Sequence, residues 1–201
     1  MYASSDFSKI IVSTTSDKSP GSAYYYDVEK GGIVQVAEYA PWLKDYELGD
    51  MIPFEFTSRD GIDLTGYITL PPDYRKGQKI PFILHPHGGP NAKDRFGYNP
   101  EVQIYATRGY GVLQVNYRGS VGFGLEKMKL ANKQWSLKMH DDLLDALYWA
   151  NDKGFVNMDK VCISGASYGG YSAMVGITKN PDLFKCAINY VGVVDLYTLY
   201  D

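Results

Sequence analysis

Gly165-Ala166-Ser167-Tyr168-Gly169 constrains this chain more than any other stretch. A short apolar run, Val161-Cys162-Ile163-Ser164, precedes it, and a helix-compatible run from Gly170 to Lys179 follows. That is the setting a G-x-S-x-G elbow requires: a serine on a sharp strand-to-helix turn, its hydroxyl projecting from the top of a sheet. Backbone crowding at such a turn leaves little room for side chains, and Gly165 and Gly169 relieve it. Chain order adds a second constraint. In hydrolases with this elbow the order is Ser, then Asp or Glu, then His. The histidines here are His85, His87 and His140, and all of them precede Ser167. The nucleophile site therefore stands without a general base in the expected place.

The rest of the chain is patterned as the elbow demands. Ile52–Thr57 and Ile62–Leu70 read as strands flanking an Asp60-Gly61 hairpin turn. Strands then alternate with helical patterns: Phe82–Leu84, a helix over Pro100–Arg108, Gly111–Asn116, a helix over Asp141–Asn151, Val161–Ser164, and a strand over Ala187–Val194. This alternation predicts βαβ units around a parallel sheet. The first forty residues differ. Ile10–Thr15, Ala23–Val28 and Ile33–Glu38 read as three strands in a meander, which alone is marginal in water. The expected division is an all-β segment with linker over residues 1–45 and an α/β unit over 46–201.

Composition excludes several classes. With 45% hydrophobic residues and a net charge of -3, the chain is an ordinary globular sequence without a clustered basic footprint for nucleic acid. No run is apolar for long enough to span a membrane. Cys162 and Cys186 both sit in apolar, strand-like runs, and buried free thiols are the expectation. With no N-x-S/T sequon and no signal-peptide pattern at the N-terminus, these features lean towards a reducing, cytoplasmic setting. His85 and His87 lack a third ligand, so neither a metal nor a cofactor is expected.

Acyl transfer also needs donors aimed at a developing oxyanion. One candidate is the Tyr168 N–H at the start of the elbow helix, where backbone donors are unpaired. A second lies in His85-Pro86-His87-Gly88-Gly89-Pro90, whose paired glycines allow close backbone approach; Gly89 N–H is favoured and Gly88 is the alternative. His85 and His87 are expected to shape this loop. Asp195 and His140 are weak candidates for acid and base: Asp195 follows the first strand after the serine, and His140 sits at a helix start, before the serine. Arg118 reads as an ion-pair anchor for the Gly119–Gly124 loop.

Three motifs together, His85–Pro90, Asn116-Tyr117-Arg118-Gly119-Ser120-Val121-Gly122-Phe123-Gly124 and Gly165–Tyr171, resemble the prolyl oligopeptidase family of serine peptidases, nearest its acylaminoacyl-peptidase and dipeptidyl-peptidase-like branch. The resemblance implies an incomplete α/β-hydrolase fold preceded by the last part of a β-propeller, which would restrict access to the site. It implies Ser167 as nucleophile, Tyr168 and Gly89 as oxyanion donors, and peptides as substrates. The family's acid follows a later strand than Asp195 does, so its Asp and His should lie beyond Asp201, leaving the chain inactive alone. A truncated sheet would expose an edge open to self-association. A carboxylesterase-like hydrolase, or a non-catalytic truncated interaction module, remains an alternative reading.

Overall fold

Tyr24, Tyr25 and Tyr26 lie in a strand because aromatic side chains pack well on a pleated surface. The strand, β3 (Ser22–Asp27), pairs antiparallel with β2 (Lys9–Thr14) and β4 (Ile33–Glu38), giving the expected meander. A two-residue strand, β1 (Tyr2–Ala3), adds a fourth member beside β2. The computed structural model describes residues 1–200, and Asp201, the last position of the expected second unit, lies outside the described residues. A short 3₁₀ turn, Pro41–Asp45, leads out of this sheet.

The second sheet has six strands in the order β10-β9-β7-β8-β6-β5. β5 (Asp50–Thr57) and β6 (Asp63–Leu70) form the expected hairpin around Asp60-Gly61. β6 runs antiparallel to β8 (Gly111–Asn116). β8, β7 (Ile80–Leu84), β9 (Val156–Ala166) and β10 (Phe184–Tyr190) are mutually parallel neighbours. Every residue of β8 is buried, as befits a central strand covered on both faces.

Helices make the crossovers. α1 (Pro100–Ala106) joins β7 to β8; Asn99 caps it, accepting from the N–H groups of Glu101 and Val102, with Pro100 pre-set for the first turn. α2 (Leu125–Lys129) and α3 (Lys138–Asp152) lie between β8 and β9. α3 buries Met139, Leu143, Ala146, Leu147 and Ala150, one face of a helix against the sheet. It begins three residues before the expected Asp141. α4 (Tyr168–Lys179) follows the elbow directly, and α5 (Leu196–Tyr200) ends the described chain. Phe54 stacks on Trp149 with ring centroids 4.5 Å apart, locking β5 to α3.

Two expectations are corrected. Cys162 and Cys186 are not free thiols but a disulfide. They occupy paired positions of the parallel strands β9 and β10, with Cα atoms 4.8 Å apart, so register places the sulfurs together. A disulfide gives no support to a reducing setting. The strand expected over Ala187–Val194 instead ends at Tyr190: Val191 takes φ 46°, and the Asn189 side chain accepts from Gly192 N–H at 2.8 Å, closing a turn.

Candidate active site

The sheet order sets the place of chemistry. From β7 the chain crosses to β8 on one side, whereas from β9 it crosses to β10 on the other. Where successive crossovers diverge, the loops at the carboxyl ends of the two central strands open a crevice. The loop after β7 is His85–Pro90, and the turn after β9 carries Ser167.

Ser167 sits at φ 56°, ψ -121°, a conformation that side-chain-bearing residues seldom adopt and that marks a strained turn. Its backbone is held on both sides: its N–H donates to the Tyr190 carbonyl and its carbonyl accepts from Tyr171 N–H, each at 3.0 Å. The side chain is exposed. Packing explains the flanking glycines. A Cβ on Gly165 would lie 2.6 Å from the carbonyl carbon of Gly169, and one on Gly169 would lie 2.2 Å from the Pro86 oxygen. Gly88 lies against Ser167 itself, its hypothetical Cβ 3.3 Å from Ser167 Cβ.

Several backbone donors are left over at this junction: among the described residues, the N–H groups of Gly88, Gly89 and Tyr168 have no hydrogen-bond acceptor. The Tyr168 side chain is 2% exposed and wedged among Trp135, Tyr171 and Tyr117, which anchors the first residue of α4.

None of the three histidines hydrogen-bonds Ser167 among the described residues. His87 bonds the Gly88 carbonyl at 2.7 Å through Nδ1 and Ser120 Oγ at 2.9 Å through Nε2. Burial pushes its pKa down to about 4, so it is neutral at pH 7. His140 Nε2 contacts Asn180 Oδ1 at 2.8 Å in the first turn of α3, and burial lowers its pKa as well. His85 lies beneath the loop with Nε2 4.0 Å from Glu101, and burial lowers it too. Asp195 is exposed and accepts from the N–H groups of Tyr197 and Thr198, a cap for α5.

Arg118 is 2% exposed and forks onto two carboxylates: Asp142 at 2.6 and 2.8 Å, and Asp60 at 2.7 and 2.9 Å. Asp142 also accepts from Arg118 N–H at 2.8 Å. This joins the β5–β6 turn, the loop after β8 and the start of α3. Arg118 is thus a structural anchor, with four of its five guanidinium N–H groups engaged. The roles of Tyr117 and Ser120 in bonding His87 are not readable from the sequence; their only signal is membership of the Asn116–Gly124 motif.

A separate hollow of about 520 Å³ lies between the β5–β6 ribbon and the loops bearing Lys93, Asp94, Arg95, Phe96 and Phe123. Asp94 accepts from Gln114 Nε2 at 2.7 Å, but its other oxygen is buried without a partner, and burial pushes its pKa up to about 7. No group of three or more His, Cys, Asp or Glu among the described residues could hold a metal ion, and no described helix is long and apolar enough to cross a membrane.

A mixed sheet with crossover helices, a strained exposed serine between β9 and α4, and a glycine loop seated on it define an α/β-hydrolase-type domain, here incomplete and preceded by an all-β sheet. Comparison with known proteins makes the assignment narrower. Residues 96–201 match the model of the prolyl oligopeptidase family, and the chain belongs to that family of serine peptidases. It is 40% identical over 195 residues to dipeptidyl aminopeptidase BIII of Pseudoxanthomonas mexicana, covering 94% of this chain and 28% of that protein. It is 35% identical over 214 residues to dipeptidyl peptidase family member 6 of Caenorhabditis elegans, covering 96% of this chain and 29% of that protein. Among solved structures, the Pyrococcus horikoshii acylaminoacyl peptidase superposes with a TM-score of 0.78 at 27% identity, covering 92% of this chain and 30% of that one. The chain therefore spans less than a third of the length of these relatives.

Proposed function

We propose that this chain forms the first part of the catalytic domain, residues 46–201, and the last part of a β-propeller with its linker, residues 1–45, of a serine peptidase acting on short peptides. Ser167 Oγ attacks the scissile carbonyl carbon and gives its proton to a base. The carbonyl oxygen, now an anion, is held by the N–H groups of Tyr168 and Gly89. The C–N bond breaks, the protonated amine leaves, and water hydrolyses the remaining acyl-serine ester. Gly88, His87, Gly165 and Gly169 support this arrangement. The observation that carries the reading is the seating of Gly88 on Ser167 where backbone N–H groups, those of Gly89 and Tyr168 among them, have no acceptor. That relatives are named dipeptidyl aminopeptidase and acylaminoacyl peptidase supports the peptidase reading over the esterase one.

No histidine in the chain is placed to activate Ser167, so the base and its carboxylate partner come from residues outside these 201. Alone, the chain is expected to turn over substrate barely or not at all. Loss of a triad base costs about 10⁴–10⁶-fold in kcat. The test compares the 201-residue chain with a longer protein carrying it, using peptide p-nitroanilides and a fluorophosphonate probe. The longer protein should cleave the peptides and lose activity as Ser167→Ala. Rapid stoichiometric labelling of the isolated chain would refute the missing base. Cleavage of p-nitrophenyl esters without any peptide cleavage would favour the esterase reading.

A further inference from the structure

The Gly88 carbonyl lies 2.7 Å from His87 Nδ1. A carbonyl can only accept, so Nδ1 carries the proton. Nε2 is then the bare nitrogen, and the partner 2.9 Å from it, Ser120 Oγ, donates. Ser120 is completely buried, and its hydroxyl has no other hydrogen-bond partner among the described residues. Tyr117, also completely buried, donates from its hydroxyl to the His87 carbonyl at 2.7 Å, and its ring stacks on the imidazole with centroids 4.3 Å apart. Three hydrogen bonds and one ring stack thus hold the ring and its backbone, and the Gly88 carbonyl sets the tautomer.

The consequence runs through one peptide plane. In a trans peptide the C=O and the N–H of the next residue point in opposite directions. Holding the Gly88 carbonyl against His87 therefore turns Gly89 N–H to the other side, away from the imidazole. Gly88 itself packs against Ser167.

Building on the peptidase reading above, we infer that Ser120 and Tyr117 are positioning residues that hold the His87 ring and backbone in place, so that Nδ1–H keeps the Gly88 carbonyl turned in and the Gly89 N–H aimed at the oxyanion. Neither side chain touches substrate. Their anchor is Arg118 between them in sequence, tied to Asp142 and Asp60.

The test has a spectroscopic arm and a kinetic arm. With nitrogen-15 histidine in the 201-residue chain, wild-type His87 should report the Nδ1–H tautomer alone. Ser120→Ala should move the His87 Nδ1–H proton resonance as the ring loosens from the Gly88 carbonyl, and Ser120→Thr should restore it. In a longer, active protein, Ser120→Ala and Tyr117→Phe should each lower kcat by about 10–100-fold, against the 10²–10³ known for outright loss of an oxyanion donor, with KM within about twofold. Both changes remove a single oxygen, and thermal unfolding checks that the fold survives. An unchanged His87 Nδ1–H resonance in Ser120→Ala, or a kcat within about twofold of wild type in both variants, overturns the inference. Absence of turnover in the wild-type longer protein sinks the peptidase reading instead, and the spectroscopic arm still decides whether Ser120 holds the His87 ring.

Discussion

Gly169 packs against the backbone oxygen of Pro86 so closely that a Cβ on Gly169 would stand 2.2 Å from it. The turn after β9 and the loop after β7 are therefore fitted to each other through main chain, with no flexible side chain to give way. Gly169→Ala should push the two loops apart. Overpacking of this kind costs about 1–3 kcal/mol, occasionally more. Thermal unfolding should show the loss, and fluorophosphonate reactivity of a longer, active protein should fall further than the stability change alone accounts for. Wild-type stability and reactivity would contradict the close fit.

The Cys162–Cys186 disulfide closes a loop with a sequence separation of 24. On the chain-entropy model a loop of that size stabilises by roughly 3 kcal/mol. Reductant, or the double change Cys162→Ser with Cys186→Ser, should lower the unfolding temperature by about 6–12 °C for a domain of this size. An intact-mass measurement gives an independent reading: the oxidised chain should be two hydrogens lighter than the reduced one.

Arg118→Met would leave Asp142, whose side chain is fully buried, without its cation. Stranding a buried charge costs about 3–5 kcal/mol, much more than the loss of a surface pair. Asp60 adds an acid-sensitive component. Hydrogen bonds from Arg118 hold its pKa well below the usual carboxylate range. A depressed folded pKa gives stability that is present above about pH 4 and is lost as the pH falls beneath it. Urea titrations at pH 7 and pH 3 should show a large deficit for the variant at pH 7 and a smaller one at pH 3.

Asp94 works in the opposite direction. Burial raises its pKa to about 7, so between about pH 4 and pH 7 the folded chain holds a proton that the unfolded chain has released. Stability from this group is therefore greatest at low pH and falls as the pH rises towards 7. Asp94→Asn should flatten the slope and raise stability at pH 8, by at most about 4 kcal/mol from the size of the shift. A variant with an unchanged pH–stability profile would show that the carboxylate is hydrated in solution.

β10 is the edge of the six-stranded sheet, and Ile188, Tyr190 and Val191 near its end are exposed. Unpaired backbone beside apolar side chains invites pairing with another chain. The 201-residue chain should elute from a sizing column as concentration-dependent oligomers. A clean monomer at high concentration would argue against association through this edge.

The fold was legible where local pattern decides it. Asp60-Gly61 marked its hairpin, the apolar run Gly111–Asn116 marked a central strand, and the glycines of the elbow marked the strand-to-helix turn. What escaped was set by neighbours distant in sequence. His87 and Ser120 are 33 residues apart, and only the adjacency of β7 and β8 brings their loops together. Cys162 and Cys186 meet through the register of β9 on β10, which no local spacing encodes. α2 is five residues long, too short for helical periodicity to appear. The end of β10 was missed because Asn189 closes a turn with its side chain inside a run that reads as apolar strand.

Gln103, on α1, grips both parts of the chain. Its amide nitrogen donates to the carbonyls of Asp17 and Gly49 at 3.1 and 2.9 Å, and its oxygen accepts from Gly49 N–H at 2.8 Å. Asp17 belongs to the turn between β2 and β3, whereas α1 follows the loop that carries Gly88 and Gly89. One amide of α1 thus staples the β2–β3 turn of the first sheet to the strand-entry segment at Gly49 of the second, so a single side chain carries hydrogen bonding that neither sheet makes for itself.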